Sequence, residues 1–259
     1  MQTRYGVIFD GTLEGFLTII YKYYYEKLKV ESIVTEDGFQ QTIDMEYVHV
    51  ETNFDEAEKA MNGIKLKLGE GIYGSMCSAF SHNDTQRYIH IFRYIVTCFK
   101  YGPDADGYTQ IDCVMRVKLY NRNIGTEVNK SMSFTRFEET ESGVLYADMS
   151  PEHDVLAIVA DFFTERLLGE RWIIHDLRRG KAAVFDGANL VITDAPVKSA
   201  RSKTFDIYQD LWKAFYDTIA IKERINPKLH RQFSPKRYWK HMTEHQHMPD
   251  SYTDIVNKE

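Results

Sequence analysis

Residues 171–194 contain three short apolar runs separated by two glycine turns. The runs RWIIHDL, KAAVFD and ANLVIT are of strand length, and Arg179-Gly180 and Asp186-Gly187 stand between them. A dipeptide of this kind between two apolar runs is typical of a tight hairpin turn. A helical pattern over 153–168 precedes the runs, and a hairpin pattern, FTRFEET followed by GVLYADM, precedes that helix. The sequence therefore predicts an antiparallel ββαβββ block.

The part of the chain before this block is predicted to be mainly helical. Apolar residues recur at helical spacing over 12–27, from 53 to about 68, over 70–81, over 84–100 and from about 109 to 121 or beyond. Short strands are predicted at 5–9 and 44–50. The change of pattern near residue 134 divides the chain into 1–133 and 134–259, as two parts or as one intertwined domain.

The C-terminal part is predicted to be helical and basic. An amphipathic helix is expected over 204–222, and Ser234-Pro235 is expected to be the N-cap and first residue of a short final helix. Residues 171–259 hold 16 Lys and Arg against 11 Asp and Glu, whereas residues 1–170 hold 16 against 27. A basic segment on an acidic chain indicates a localised anion-binding face, unless both parts are simply solvated. The predicted fold class is α+β.

Several classes of protein are not expected. No apolar run approaches the roughly 20 residues of a membrane span, so we expect no membrane contact. A cytoplasmic location is expected because the N-terminus lacks a signal-peptide pattern and the cysteines do not form a disulfide framework. Cys77, Cys98 and Cys113 lie far apart and form no C-x-x-C spacing. We therefore expect no disulfide framework, no thiolate metal or iron–sulfur site and no cofactor.

The stretch VIFDGTL at 7–13 is similar to the opening of haloacid dehalogenase-type phosphatases, Asp-x-Asp-Gly-Thr. If Asp10 were the second carboxylate, the nucleophile would fall at Ile8, which cannot form a covalent intermediate. We expect instead a strand, a turn capped by Asp10 or Thr12, and a helix.

Two cationic stretches are candidate nucleic-acid contacts. In LRRGKA, the side chains of Arg178, Arg179 and Lys181 surround the Gly180 turn and could bind a phosphate; a solvated hairpin turn is the alternative. In SPKRYWKH, cations alternate with aromatic residues that could stack on bases, or could dock the last helix onto the core. The candidates in and near this second stretch are Lys228, Arg231, Lys236, Arg237, Tyr238, Trp239 and Lys240.

Acid–base candidates are fewer. His153 lies between Glu152 and Asp154, whose carboxylates should raise its pKa; a helix-capping segment is the alternative. His175-Asp176 ends a predicted strand, and it too could be either a proton-transfer group or a structural element. The stretch HMTEH at 241–245 fits the H-x-x-E-H zinc motif. We expect a solvent-exposed helix end and no metal there, because too few residues follow to supply a third ligand.

Five stretches, in order along the chain, together resemble a bacterial family of unknown function that is described as a probable DNA-metabolism or DNA-repair protein. They are FDGTLEGFLTIIY at 9–21, RFEETESGVLYADMSPEHD at 136–154, RWIIHDLRRGKA at 171–182, LWKAFYDTIAIKERINPKL at 211–229 and PKRYW at 235–239. Each stretch alone is weakly specific, but the ordered set spans nearly the whole chain.

The resemblance implies a function in DNA repair, because members of the family accompany a radical-SAM protein and related domains are fused to uracil-DNA glycosylase-like domains. It provides no catalytic residue, since the family has no agreed active site. Relatives often carry His-Lys or His-Arg where this chain has Asn129-Lys130. We therefore expect a nucleic-acid-binding accessory of a radical-SAM enzyme. A DNA-processing hydrolase using His153 or His175-Asp176, and a scaffold that does not bind DNA, are the alternatives.

Overall fold

The computed structural model describes residues 4–39, 45–140, 143–195 and 234–242. The predicted helix 204–222, with Lys228 and Arg231, lies outside these ranges. The chain divides into two compact units, Met1–Gly125 and Thr126–Glu259, and the boundary falls inside a long helix. The fold is α+β, with a mainly helical N-terminal half and a block of strands in the C-terminal half.

The first unit contains a three-stranded parallel sheet. Its strands are β1 (Arg4–Phe9), β2 (Ser32–Thr35) and β3 (Met45–His49), in the order β2-β1-β3. The strands predicted at 5–9 and 44–50 are confirmed. Strand β2 was not predicted, because its apolar run SIVT is too short to show an alternating pattern.

The predicted helices of the first half are confirmed. They are α1 (Leu13–Tyr25), α2 (Phe54–Leu68), α3 (Glu70–Phe80), α4 (Arg87–Tyr101) and α5 (Asp112–Phe134). Helix α2 begins as predicted, since the Asn53 side chain accepts a hydrogen bond from the Glu56 amide at 3.1 Å. The core of this unit includes Phe9 and Tyr88, whose rings meet edge to face at 5.0 Å.

The turn in VIFDGTL is held by Asp10. Its Oδ1 accepts hydrogen bonds from the amide and hydroxyl of Thr12, at 2.9 and 2.7 Å, and its Oδ2 accepts one from the Thr52 hydroxyl at 2.6 Å. Thr12 is the N-cap of α1 and accepts from the Gly15 amide at 3.0 Å. Burial alone would raise the pKa of Asp10, but these hydrogen bonds outweigh it and lower the pKa. Asp10 therefore joins the turn to the segment that follows β3.

The second unit has a five-stranded sheet in the order β4-β5-β6-β7-β8. The predicted ββαβββ order is confirmed, but the sheet is not antiparallel throughout. Helix α6 connects β5 to β6 as a crossover, so these two strands pair in parallel. The elements are β4 (Glu138–Glu139), β5 (Leu145–Met149), α6 (Leu156–Arg166), β6 (Trp172–Asp176), β7 (Lys181–Phe185), β8 (Leu190–Asp194) and the short α7 (Lys236–Trp239).

The parallel pair distributes its polar residues over both faces of the sheet. Asp148 and His175 are register partners and share one face, whereas Asp176 lies on the other face, with Trp172. Phe137 contacts both Trp172 and Phe163 of α6, so this helix covers the Trp172 face. The Asp148 face is therefore opposite α6. None of the helices in the described ranges is long and apolar enough to cross a membrane.

Candidate nucleic-acid interface and buried acid–base groups

The basic turn, residues 178–181, joins β6 to β7 and is organised by Asp176. This carboxylate is fully buried, and its Oδ1 accepts the backbone amides of Arg178 and Arg179 at 2.9 and 3.3 Å. Gly180 adopts a positive φ of 61°, which closes the turn. The Arg178 side chain is exposed and Lys181 is partly exposed. Their predicted phosphate contacts are compatible with this placement and stay predictions.

Arg179 points into the protein instead. Its Nη1 donates to Asp176 Oδ2 at 2.9 Å and to the Pro151 carbonyl at 3.2 Å, and its Nη2 donates to the Glu152 carbonyl at 2.7 Å. Only 20% of the side chain is exposed. The guanidinium therefore neutralises Asp176 and fixes the linking loop, residues 150–152, rather than presenting its charge to solvent.

The docked segment, residues 234–242, is anchored on Glu127 of α5. Tyr238 is buried, and its hydroxyl donates to Glu127 Oε1 at 2.8 Å. Burial and this hydrogen bond raise the pKa of Tyr238 to about 12, so the phenol keeps its proton. Arg237 donates to Glu127 Oε2 at 3.2 Å and to Glu152 Oε2 at 2.6 Å. Of the two predicted roles of Tyr238, docking fits this position and base stacking does not.

The rest of the docked segment differs from the prediction in one respect. Pro235, not Ser234, is the N-cap of α7, and the helix begins at Lys236. The Ser234 carbonyl accepts a hydrogen bond from Trp239 Nε1 at 2.7 Å, so the partly exposed indole is held by its own segment. Lys240 is exposed and its Nζ donates to Ser150 Oγ at 3.0 Å.

The linking loop therefore receives contacts from both predicted cationic stretches. The basic turn reaches it through Arg179, and the docked segment reaches it through Arg237 and Lys240. Three cations of these stretches, Arg178, Lys181 and Lys240, keep their side chains exposed or partly exposed. Arg237 is exposed as well, but it is paired with Glu127 and Glu152. The two stretches lie 50 residues or more apart in the sequence and meet at one loop of the second unit.

His153 follows the linking loop and is 6% exposed. Its Nε2 lies 4.0 Å from Glu127 Oε2. The predicted rise of its pKa is wrong: burial lowers the pKa of His153, and this outweighs the opposite effect of Glu127 and Glu152. The segment does not cap α6 through a side chain either, because the N-cap is Val155, without a side-chain hydrogen bond.

His241 is buried against the sheet, and the predicted solvent-exposed helix end is wrong at this residue. Only 5% of His241 is exposed, and its Nδ1 lies 2.5 Å from Oδ1 of Asp148, which is also 5% exposed. Residues 243–245 of the H-x-x-E-H match lie outside the described ranges. In the part of the chain that the structure describes, no three His, Cys, Asp or Glu side chains are grouped to hold a metal ion.

His175 lies beside Asp148 and His241, but its side chain does not pair with Asp176. The two side chains are on opposite faces of β6, since neighbouring residues of a strand alternate. The partner of His175 is Tyr146, whose hydroxyl is 2.9 Å from Nδ1. His175 is 4% exposed, and no described residue hydrogen bonds to its buried Nε2.

Three residues of this region were missed by the sequence analysis as sites: Glu127, Tyr146 and Asp148. Glu127 sits in a long helix among other charged residues, so nothing local marks it as buried. Asp148 interrupts the apolar run LYADM, and a lone carboxylate in a buried strand was the available signal.

The chain belongs to the family named domain of unknown function DUF4130, whose model matches residues 85–244. No curated protein matches it. Among solved structures, the chain is similar to a pGpG-specific phosphodiesterase, PggH, from Vibrio cholerae. The identity is 8% and the TM-score is 0.33, over 77% of this chain and 85% of that one.

Proposed function

We propose that this protein binds nucleic acid in DNA metabolism, through the surface formed by the basic turn and the exposed cations of the docked segment. The observation that carries the proposal is the meeting of both stretches at the linking loop. Phosphates are spaced along a nucleic-acid strand, so cations held at one loop can contact neighbouring phosphates together. The ordered resemblance to a DNA-metabolism family supports DNA as the ligand.

The contacts assign different tasks to the predicted residues. Arg178 and Lys181 bind phosphates, joined by Lys240, while the phosphate contacts predicted for Arg231 and Lys236 stay predictions. Arg179 and Arg237 are already paired with Asp176, Glu127 and Glu152, so they shape the surface. Trp239, partly exposed, is the remaining candidate for stacking on a base.

The binding experiment uses fluorescence anisotropy with labelled single-stranded and duplex DNA over a range of salt. The double variant Arg178→Glu, Lys181→Glu should bind at least about tenfold more weakly, with a salt slope smaller by about two. The matched control, Lys67→Glu with Lys100→Glu, makes the same change of net charge at two exposed lysines of the first unit. Equal affinity for the two double variants would show that the surface is assigned wrongly.

We propose further that the protein works as an accessory of a radical-SAM enzyme, on the basis of the family resemblance. Co-purification with that partner, together with salt-sensitive DNA binding, is the expected result. Co-purification without salt-sensitive DNA binding would favour a scaffold.

A further inference from the structure

We propose that His175 is the general base of a phosphodiester-hydrolysing site on the Asp148 face of the second sheet, and that Tyr146 positions it. The proposal rests on the proposed nucleic-acid binding, which would bring the phosphodiester to this site. It replaces the predicted His175-Asp176 pair, whose side chains lie on opposite faces of β6.

The first argument is the unsatisfied nitrogen of His175. Nδ1 is within hydrogen-bonding distance of the Tyr146 hydroxyl, while the described residues provide no hydrogen bond for the buried Nε2. Burying a polar atom without a partner costs about 1–3 kcal/mol. Nε2 of His175 is one of six buried side-chain atoms in the described residues that lack such a partner, and a ligand or a reacting group could complete its hydrogen bond.

The second argument concerns the residues next to His175. Its register partner on the neighbouring strand is Asp148, and Asp148 contacts the imidazole of His241. Neighbouring strands lie about 4.8 Å apart, so two imidazoles and one carboxylate share a small area of a single sheet face. Asp148 has His241 as its partner, whereas Nε2 of His175 has none among the described residues.

The third argument is the location. His175 and Asp148 each lie one residue before the carboxyl end of β6 and β5. In open parallel sheets, ligands bind outside these carboxyl ends, and β5 and β6 are the parallel pair of this sheet. The residues that follow lead directly to the basic turn and to the linking loop, so a phosphodiester held by Arg178 and Lys240 lies beside this edge.

The reaction is the addition of water across a P–O bond. His175 Nε2 takes a proton from the water, whose oxygen attacks phosphorus. The P–O bond to the leaving nucleoside oxygen breaks, this oxygen takes a proton from solvent, and the His175 imidazolium returns its proton to solvent. The Tyr146 contact fixes the ring so that Nε2 is the nitrogen available for the transfer.

The test uses the full chain with 5′-labelled single-stranded and duplex DNA and with RNA of the same sequence. The variant His175→Asn keeps a polar atom near the Nδ1 position and removes Nε2. Wild type should cleave at least one of these substrates, and the variant should be at least about 100-fold slower with DNA affinity within twofold of wild type. His49→Asn, at an exposed histidine of the first unit, should cleave like wild type.

A second variant covers the case in which His175→Asn does not fold. Tyr146→Phe keeps the ring but removes the hydroxyl that holds Nδ1, so kcat should fall at least about tenfold while KM stays within about twofold of wild type. Three results would overturn the proposal: a wild-type protein that binds DNA but cleaves nothing, a His175→Asn variant as fast as wild type, or a Tyr146→Phe variant with an unchanged kcat. Absence of nucleic-acid binding would instead contradict the proposed function, and this inference with it.

Discussion

Tyr238 donates a hydrogen bond to Glu127 Oε1 at 2.8 Å and thereby joins the docked segment to α5. The carboxylate also accepts the Glu152 amide at 3.1 Å and an Arg237 nitrogen at 3.2 Å. Glu127 is only 2% exposed, so these donors replace the water that a carboxylate would otherwise bind. The docked segment and the linking loop are thus both joined to α5 through one buried side chain.

Removing the Tyr238 hydroxyl should destabilise the protein measurably. Tyr238→Phe leaves the ring packed against Phe134 but deprives buried Glu127 of one donor. We expect a loss of about 1–3 kcal/mol in the free energy of unfolding, measured by urea denaturation. Tyr25→Phe, at a tyrosine that is 73% exposed, should change the stability by less than about 0.5 kcal/mol. Equal effects of the two variants would contradict the role assigned to Glu127.

Two adjacent arginines should respond in opposite ways. Arg179→Ala leaves the fully buried Asp176 without its ion-pair partner, which should cost about 3–5 kcal/mol of unfolding free energy. Arg178→Ala removes an exposed side chain and should stay within about 0.5 kcal/mol of wild type, while weakening DNA binding. Urea denaturation and anisotropy on the same preparations check both statements. An Arg179→Ala protein as stable as wild type would contradict the assignment of Arg179 as the ion-pair partner of buried Asp176.

His153 should make the stability fall on mild acidification. Burial lowers its pKa in the folded protein below the ordinary value of 6.5, so the unfolded chain takes up a proton first as the pH falls. The free energy of unfolding is therefore highest above pH 6.5 and decreases as the pH falls from there toward the lowered pKa. His153→Gln should therefore lose less stability between pH 7.5 and 5 than wild type does. His49→Gln is the control, and a His153→Gln protein with the pH dependence of that control would count against this assignment.

Two glycine-to-alanine changes should have opposite signs. A Cβ on Gly15 would clash with Asp10 Oδ1 and lie 2.7 Å from Thr52 Oγ1, so Gly15→Ala should cost about 1–3 kcal/mol. A Cβ on Gly63, in α2, would meet nothing within 4 Å, and Gly63→Ala should stabilise the helix by about 0.5–1 kcal/mol. Thermal unfolding distinguishes the two variants. A Gly15→Ala protein as stable as wild type would mean that the contacts of Asp10 with the turn are loose.

Much of the fold could be predicted because its signals are local. The Asn53 cap, the apolar spacing of α2 and the two glycine turns each depend on residues a few positions apart. The parallel pairing of β5 and β6 could not be predicted in this way, since it depends on a crossover through α6. A strand pattern predicts burial and alternation but does not determine the direction of its neighbour.

The candidate site was predictable in composition but not in geometry. Arg178 and Arg179 have nearly the same local sequence, and only the position of Asp176 on the α6 face decides which of them points inward. His241 was expected in solvent because it stands in a His-rich stretch at the end of the last predicted helix. Its burial depends on Asp148, which lies 93 positions earlier in the chain.

Strand β1 takes all its hydrogen-bonded neighbours from later parts of the chain, β2 on one edge and β3 on the other, and both are parallel to it. No hairpin can form this sheet, so each pairing must close a long loop before it gains a hydrogen bond. During synthesis on the ribosome, the strand made first must therefore wait until residue 49 has emerged before both edges are covered. Until then, the apolar run VIF lacks one or both of the strand partners that it has in the folded unit.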